Sequence, residues 1–149
     1  MAIEQFPKIY LYRRIVQAKL FIDNRFHDTI NLDDIADEAF FSKFHFIRLF
    51  KMTYGKTPHQ YLTSVRIEKA KLLLQTGIAI ADVCFAVGFD SISSFTGLFK
   101  RITTTTPSFY QKQQLKRIKE ISQVPLKFIP NCFAEKKGRT KNRNFQEVK

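Results

Sequence analysis

From Ile9 to about Phe26, the apolar residues Ile9, Leu11, Tyr12, Ile15, Val16, Leu20 and Ile22 recur mostly at three- and four-residue spacing, with charges between them. That period predicts an amphipathic helix. Asn31 then offers a capping side chain, and Leu32, Ile35, Ala36 and Ala39 form a short apolar stripe. Asp33 and Asp34 occupy the first turn, where the helix dipole favours acids. Phe40 and Phe41 break the period. Ser42 is placed to cap a third helix reaching about Tyr54, with Phe46, Leu49 and Phe50 inward and Gly55 at its end. Thr57-Pro58 is a start signal, threonine as N-cap and proline at the first helical position. It opens a long stripe through Tyr61, Leu62, Val65, Ile67, Ala70, Leu73 and Leu74, stopped by Gly77.

The pattern then recurs. Ile80, Val83, Cys84 and Val87 make a short helix, Gly88 a turn and Ser91 a cap. Phe95, Leu98 and Phe99 form the inner face of the next helix, and Thr106-Pro107 opens a last one through Tyr110 and Leu115. Leu32, Asp34, Ile35 and Phe41 align with Ile80, Asp82, Val83 and Phe89 at a constant offset of 48 residues. After the turn the offset is 49, for Ser42/Ser91, Phe46/Phe95, Phe50/Phe99, Lys51/Lys100, Pro58/Pro107 and Tyr61/Tyr110. The second copy carries one extra turn residue. A helix-turn-helix tolerates that insertion, because its two helices keep their buried phase on either side of the loop. The fold predicted is all-α, about seven helices in two helix-turn-helix subdomains (32–54 and 80–103) joined by a long linker helix (57–75). They lie in a domain spanning 9–118, between an arm (1–8) and a basic tail (119–149) with two prolines and no sustained period.

Composition narrows the function. The chain has 149 residues, sixteen Phe and a net charge of +12; it carries enough apolar surface for a core and favours a polyanionic partner, because neutralising phosphates releases counterions. On charge alone, nucleic acid and an anionic membrane surface both remain open. No run approaches the roughly 20 apolar residues of a bilayer span, and no secretory leader pattern opens the chain, so a soluble, cytoplasmic protein is expected. Cys84 and Cys132 are too few and too distant for a metal cluster or disulfide framework, and Cys84 reads as a core residue. His27, His45 and His59 have no ligand-spaced Cys or carboxylate, and no nucleophile elbow or phosphate-cradling loop occurs. No enzyme, metal site or cofactor is expected.

Two stretches, LDDIADEAFFSKFHFIRLFKMTYGKTPHQYLTSVRIEKAKLLL and IADVCFAVGFDSISSFTGLFKRITTTTPSFYQKQ, resemble the DNA-binding domain of AraC/XylS-type transcription regulators. The likeness covers about Leu11 to Gln114. It implies binding to double-stranded promoter DNA, more often as activator than repressor, and contact with RNA polymerase. Two recognition helices on one chain let it bind as a monomer unless it belongs to a larger protein. The family often attaches a ligand-binding or dimerisation domain, for which the flanks are too short, so either regulation acts through protein abundance or this chain is part of a larger one. Three positions depart from the family pattern. Phe40 stands at the usual turn glycine, a strain of about 1 kcal/mol if the left-handed conformation is kept. Thr104 stands at a helix-ending glycine, which predicts a frayed end. Gly97 replaces a long polar residue.

On the first recognition helix Phe44, His45, Ile47 and Arg48 are the candidate base contacts. Arginine can bond bidentately to guanine, and Phe44 or Ile47 can meet a thymine methyl; Arg48 bonding only to phosphate is the alternative. On the second, Ile92, Ser93, Ser94 and Gly97 face DNA with short or apolar side chains, suited to weak reading through backbone and shape. Candidates for phosphate contact are Ser42, Lys43, Lys51, Ser91, Thr96, Lys100 and Arg101, together with His59 and Ser108 at the helix starts opened by Pro58 and Pro107, where backbone amides meet anions. A nonspecific architectural DNA binder, or a helical module for protein or anionic membrane, remains open beside the regulator.

Overall fold

A computed structural model describes residues 2–39 and 42–124. Phe40, Phe41 and the stretch 125–149, with Cys132 and most of the expected tail, lie outside the described residues. Within them seven helices and no strand form: α1 (Ala2–Arg25), α2 (Leu32–Ala39), α3 (Lys43–Tyr54), α4 (Pro58–Leu74), α5 (Ile80–Ala86), α6 (Ile92–Thr103) and α7 (Pro107–Gln123). Residues 1–111 make one compact unit, and Lys112 begins a second, in which α7 continues.

Local chemistry explains most helix starts. Asn31 accepts from the Asp34 backbone N–H while the Asp34 carboxylate accepts from Asn31 N–H, both at 2.9 Å. That reciprocal pair satisfies two first-turn donors of α2. Thr57 and Gln60 do the same at α4, with Pro58 at the first position. Thr106 accepts from Phe109 N–H at the start of α7. Ser42 sits in extended backbone at the start of α3, but its side chain makes no capping bond.

Two ends lie elsewhere than the apolar period suggests. α1 begins at Ala2 rather than Ile9, winding through Pro7, which forgoes one backbone bond near the helix start. α7 runs to Gln123, past Lys119.

Two hydrophobic clusters fill the first unit. Ile15, Ala18 and Ile22 of α1 pack with Ile35, Ala36, Phe46, Phe50 and Leu62. Ile67, Ala70 and Leu74 of α4 pack with Val83, Cys84, Val87, Phe95 and Phe99. One helix, α4, therefore contributes to both. Burial also pushes the Cys84 thiol pKa up, the behaviour of an inert core cysteine. Phe26 packs partly against each cluster, a second link between the halves besides α4. The expected inner stripe of α1 is only half right: Ile9, Tyr12, Val16 and Leu20 are exposed. Residues 11, 15, 18 and 22 form one helical face and 9, 12, 16 and 20 another. Both are apolar, and among the described residues it is 15, 18 and 22 of the first that pack into a buried cluster.

Candidate nucleic-acid interface

The repeat is visible ring by ring. Phe46 and Phe50 have centroids 5.6 Å apart and planes 58° apart; their counterparts Phe95 and Phe99 stand at 5.7 Å and 57°. Phe50 meets Tyr61 edge-on at 5.7 Å, as Phe99 meets Tyr110 at 5.5 Å. The same aromatic wedge thus sets the angle between each outer helix, α3 or α6, and the helix that follows it. Edge-to-face contacts of this kind fix orientation beyond what burial alone does.

The helix ends repeat too. Gly55 closes α3 in the left-handed region, φ 73°, with its N–H donating to Lys51 O at 2.8 Å. Thr104, 49 residues on, closes α6 at φ 68° with its N–H donating to Lys100 O at 2.8 Å. The frayed end expected from a missing glycine does not occur. The threonine is held in the strained conformation by that backbone bond and by its neighbour: the single Thr103 hydroxyl proton is shared between Phe99 O at 2.7 Å and Thr105 O at 3.0 Å.

With Phe46 and Phe50 inward, α3 presents Lys43, Phe44, His45, Arg48 and Lys51 to solvent, and Ile47 is half-buried. Phe44 is 83% exposed, a large apolar ring with no intramolecular reason to stay in water. Lys43 reaches back to Asp33 of α2 at 3.3 Å, a solvated pair of small energetic weight. Around α6, Ile92, Ser93, Ser94, Gly97, Lys100 and Arg101 are exposed and Thr96 is half-buried. Ser91 caps α6 by accepting from Ser94 N–H. Nothing lies within 4 Å of where a Cβ on Gly97 would stand, so this face is open. His59 and Ser108 are exposed beside the buried Pro58 and Pro107 that precede them.

The structure brings some of these residues together across a groove of about 570 Å³ between α4 and α6. His59 and Arg101 line it, with Leu98 and Ile102. It also recruits Lys56, Gln60, Thr63 and Ser64, which sequence reasoning passed over. The three- and four-residue spacing of Gln60, Thr63 and Ser64 on the outer side of α4, with Lys56 just before its start, was the available signal; what it lacked was the facing helix some forty residues away. α4 is anchored at this end by Tyr61, whose hydroxyl donates to Asp23 Oδ1 at 2.7 Å, with Lys19 on Asp23 Oδ2 at 2.8 Å. Burial, then the Asp23 bond, pushes the Tyr61 pKa up. The same carboxylate raises that of Lys19.

Among the described residues no three His, Cys, Asp or Glu side chains converge as metal ligands. None of the described helices is long and apolar enough to cross a membrane.

Residues 35–113 match the sequence model of a helix-turn-helix domain family. The chain is 37% identical over 102 residues to the TetD protein of transposon Tn10 from Escherichia coli, covering 68% of this chain and 74% of that one. It is 35% identical over 101 residues to the bifunctional transcriptional activator/DNA repair enzyme AdaA of Bacillus subtilis, covering 67% of this chain but 47% of that one. Among solved structures, the DNA-binding domain of AdpA in complex with a target DNA superposes with TM-score 0.67 at 25% identity, over 69% of this chain and 94% of that one. A regulator from Chromobacterium violaceum with an AraC-type DNA-binding domain gives 0.64 at 27%, over 69% and 93%.

Proposed function

Because the chain belongs to the AraC/XylS-type family of helix-turn-helix transcription regulators, we propose that it binds double-stranded promoter DNA with two recognition helices, α3 and α6, set in successive major-groove segments. The observation that carries this reading is the duplicated aromatic wedge, which presents both helices outward by the same geometry. Segments one turn of B-DNA apart, about 34 Å, are what dimeric repressors reach with two chains; here one chain carries both readers and acts as a monomer.

The two readers divide the work unequally. On α3, Arg48 bonds a guanine edge, Phe44 and Ile47 meet thymine methyls, and His45 borders them. On α6, Ile92, Ser93, Ser94 and Gly97 approach closely but hold few base-edge donors, so this helix reads shape and backbone. Ser42, Lys43, Lys51, His59, Ser91, Thr96, Lys100, Arg101 and Ser108 contact phosphates, and Lys56 of the groove joins them. The protein works by binding rather than catalysis, in the cytoplasm, and activates promoters through contact with RNA polymerase.

The test begins with duplexes selected from a random pool. Wild-type protein should bind them roughly 10³-fold or more tighter than scrambled DNA. Arg48→Ala should lose about 1–3 kcal/mol at one base pair while keeping its nonspecific affinity. Equal affinity for selected and scrambled duplexes instead supports an architectural binder, the reading that the short side chains of α6 favour.

A further inference from the structure

Three segments distant in sequence meet at one point of the first unit. Arg66, midway along α4, donates from Nε to Phe26 O at 2.7 Å and from Nη2 to Asp28 O at 2.9 Å. Both carbonyls belong to the corner between α1 and α2. The guanidinium carbon stands 5.6 Å from the centre of the Phe89 ring, and Phe89 lies in the turn between α5 and α6. In the same turn Gly88 has φ 95°, and a Cβ placed on it would fall 2.9 Å from Phe26 O, 3.0 Å from His27 O and 3.1 Å from Arg66 Cζ. Only glycine lets the two corners close on the arginine.

The arrangement uses what is particular to arginine. A planar fork with fixed donor directions can hold two carbonyls in its plane while its face lies toward a ring. A lysine offers one point charge and no plane. Burial lowers the Arg66 pKa, with nearby Asp90 opposing, the mark of a guanidinium drawn into the joint rather than left in solvent.

The joint lies between the two readers. On one side, α2 and α3 pack on α1, whose last turn leads to Phe26 and Asp28. On the other, Phe89 is two residues before the Ser91 cap of α6 and packs on Phe95 at 5.3 Å. We propose that Arg66 is a positioning residue that fixes α6 relative to α3 and so sets the spacing between half-sites that the protein accepts. This rests on the two-reader function proposed above.

Two measurements test it. The first compares a pool-selected duplex with the same duplex carrying one extra base pair between its half-sites, for wild type, Arg66→Lys, Arg66→Met and Gly88→Ala. Wild type should lose roughly tenfold or more on the insertion. Arg66→Met should bind the intact duplex less tightly and lose less than half as much, in logarithmic terms, on the insertion. Arg66→Lys should behave like Arg66→Met, since it keeps charge without the fork; full activity in the lysine variant overturns the proposal.

The second needs no DNA. Spin labels at Met52→Cys on α3 and Lys100→Cys on α6, with the buried Cys84 changed to Ala and Cys132 to Ser, report the distance between readers. The distribution should be narrow with Arg66 and broad with Arg66→Met at unchanged helix content. Equal distributions overturn the proposal, and if Arg66→Met does not fold, Gly88→Ala and Arg66→Lys decide on the same criterion. A wild-type protein that cannot tell selected from scrambled DNA defeats the two-reader function, and the label distances alone then decide whether Arg66 holds the joint.

Discussion

Thr104 and Gly55 do the same task with different chemistry. A β-branched residue in the left-handed region is strained by roughly 1–3 kcal/mol, which glycine escapes; glycine in turn leaves more freedom to the unfolded chain. The strain dominates here, so Thr104→Gly should stabilise the protein by about 1 kcal/mol, read as a rise in the urea midpoint at unchanged m-value. An unchanged or lower midpoint would show that the Thr103 and Thr104 side-chain bonds outweigh the strain. Lys19, Asp23 and Tyr61 give a pH signature. The pKa values of Lys19 and Tyr61 are both raised, so above about pH 10 the folded state keeps protons that the unfolded chain releases. Stability should therefore be full below about pH 10 and fall as pH rises beyond it. Tyr61→Phe should flatten that fall, as followed by denaturant midpoints across the alkaline range.

At the level of helices, the starts were the most legible features. Asn31, Thr57-Pro58 and Thr106-Pro107 act within four residues, so the signal and the structure it makes lie in the same window. The duplication was legible for a related reason, since equal spacing of Phe46 and Phe50 with Phe95 and Phe99 demands equal geometry. Features set by a distant partner were not legible. The buried face of α1 depends on which of two apolar stripes α2, α3 and α4 cover. The groove residues Lys56, Gln60 and Thr63 mean nothing without α6 opposite, and Arg66 was indistinguishable from a solvated helix cation until the carbonyls of Phe26 and Asp28 were placed beside it. On α6 the open space at Gly97 carries its own prediction. Gly97→Arg starts from a Cβ position with nothing within 4 Å and removes a helix-interior glycine, worth up to about 1 kcal/mol. The variant should fold with equal or greater stability and acquire a new base preference in its half-site, visible when its selected sequences are compared with those of wild type. Loss of folding would contradict the open geometry.

Over the whole first unit, two clusters share α4 and Phe26, so neither half should unfold alone. Calorimetry should show one transition for this unit. Phe26→Ala should lower it by about 2 kcal/mol, less than a fully buried phenylalanine because the ring is only partly covered. Two resolved transitions in the wild-type protein would mean that α4 merely tethers independent halves. A core tied together in this way also bears on how the protein changes over generations. Most substitutions that alter recognition erode stability, and a lineage must compensate before it can keep them. The vacancy over Gly97 is exempt from that trade: it sits on the face of α6, outside both clusters, and every side chain that fills it gains helix propensity except proline. On the two-reader function proposed above, new promoter targets are thus within reach of single mutations that the fold does not oppose, and α6 is where divergence among close descendants of this chain should be concentrated.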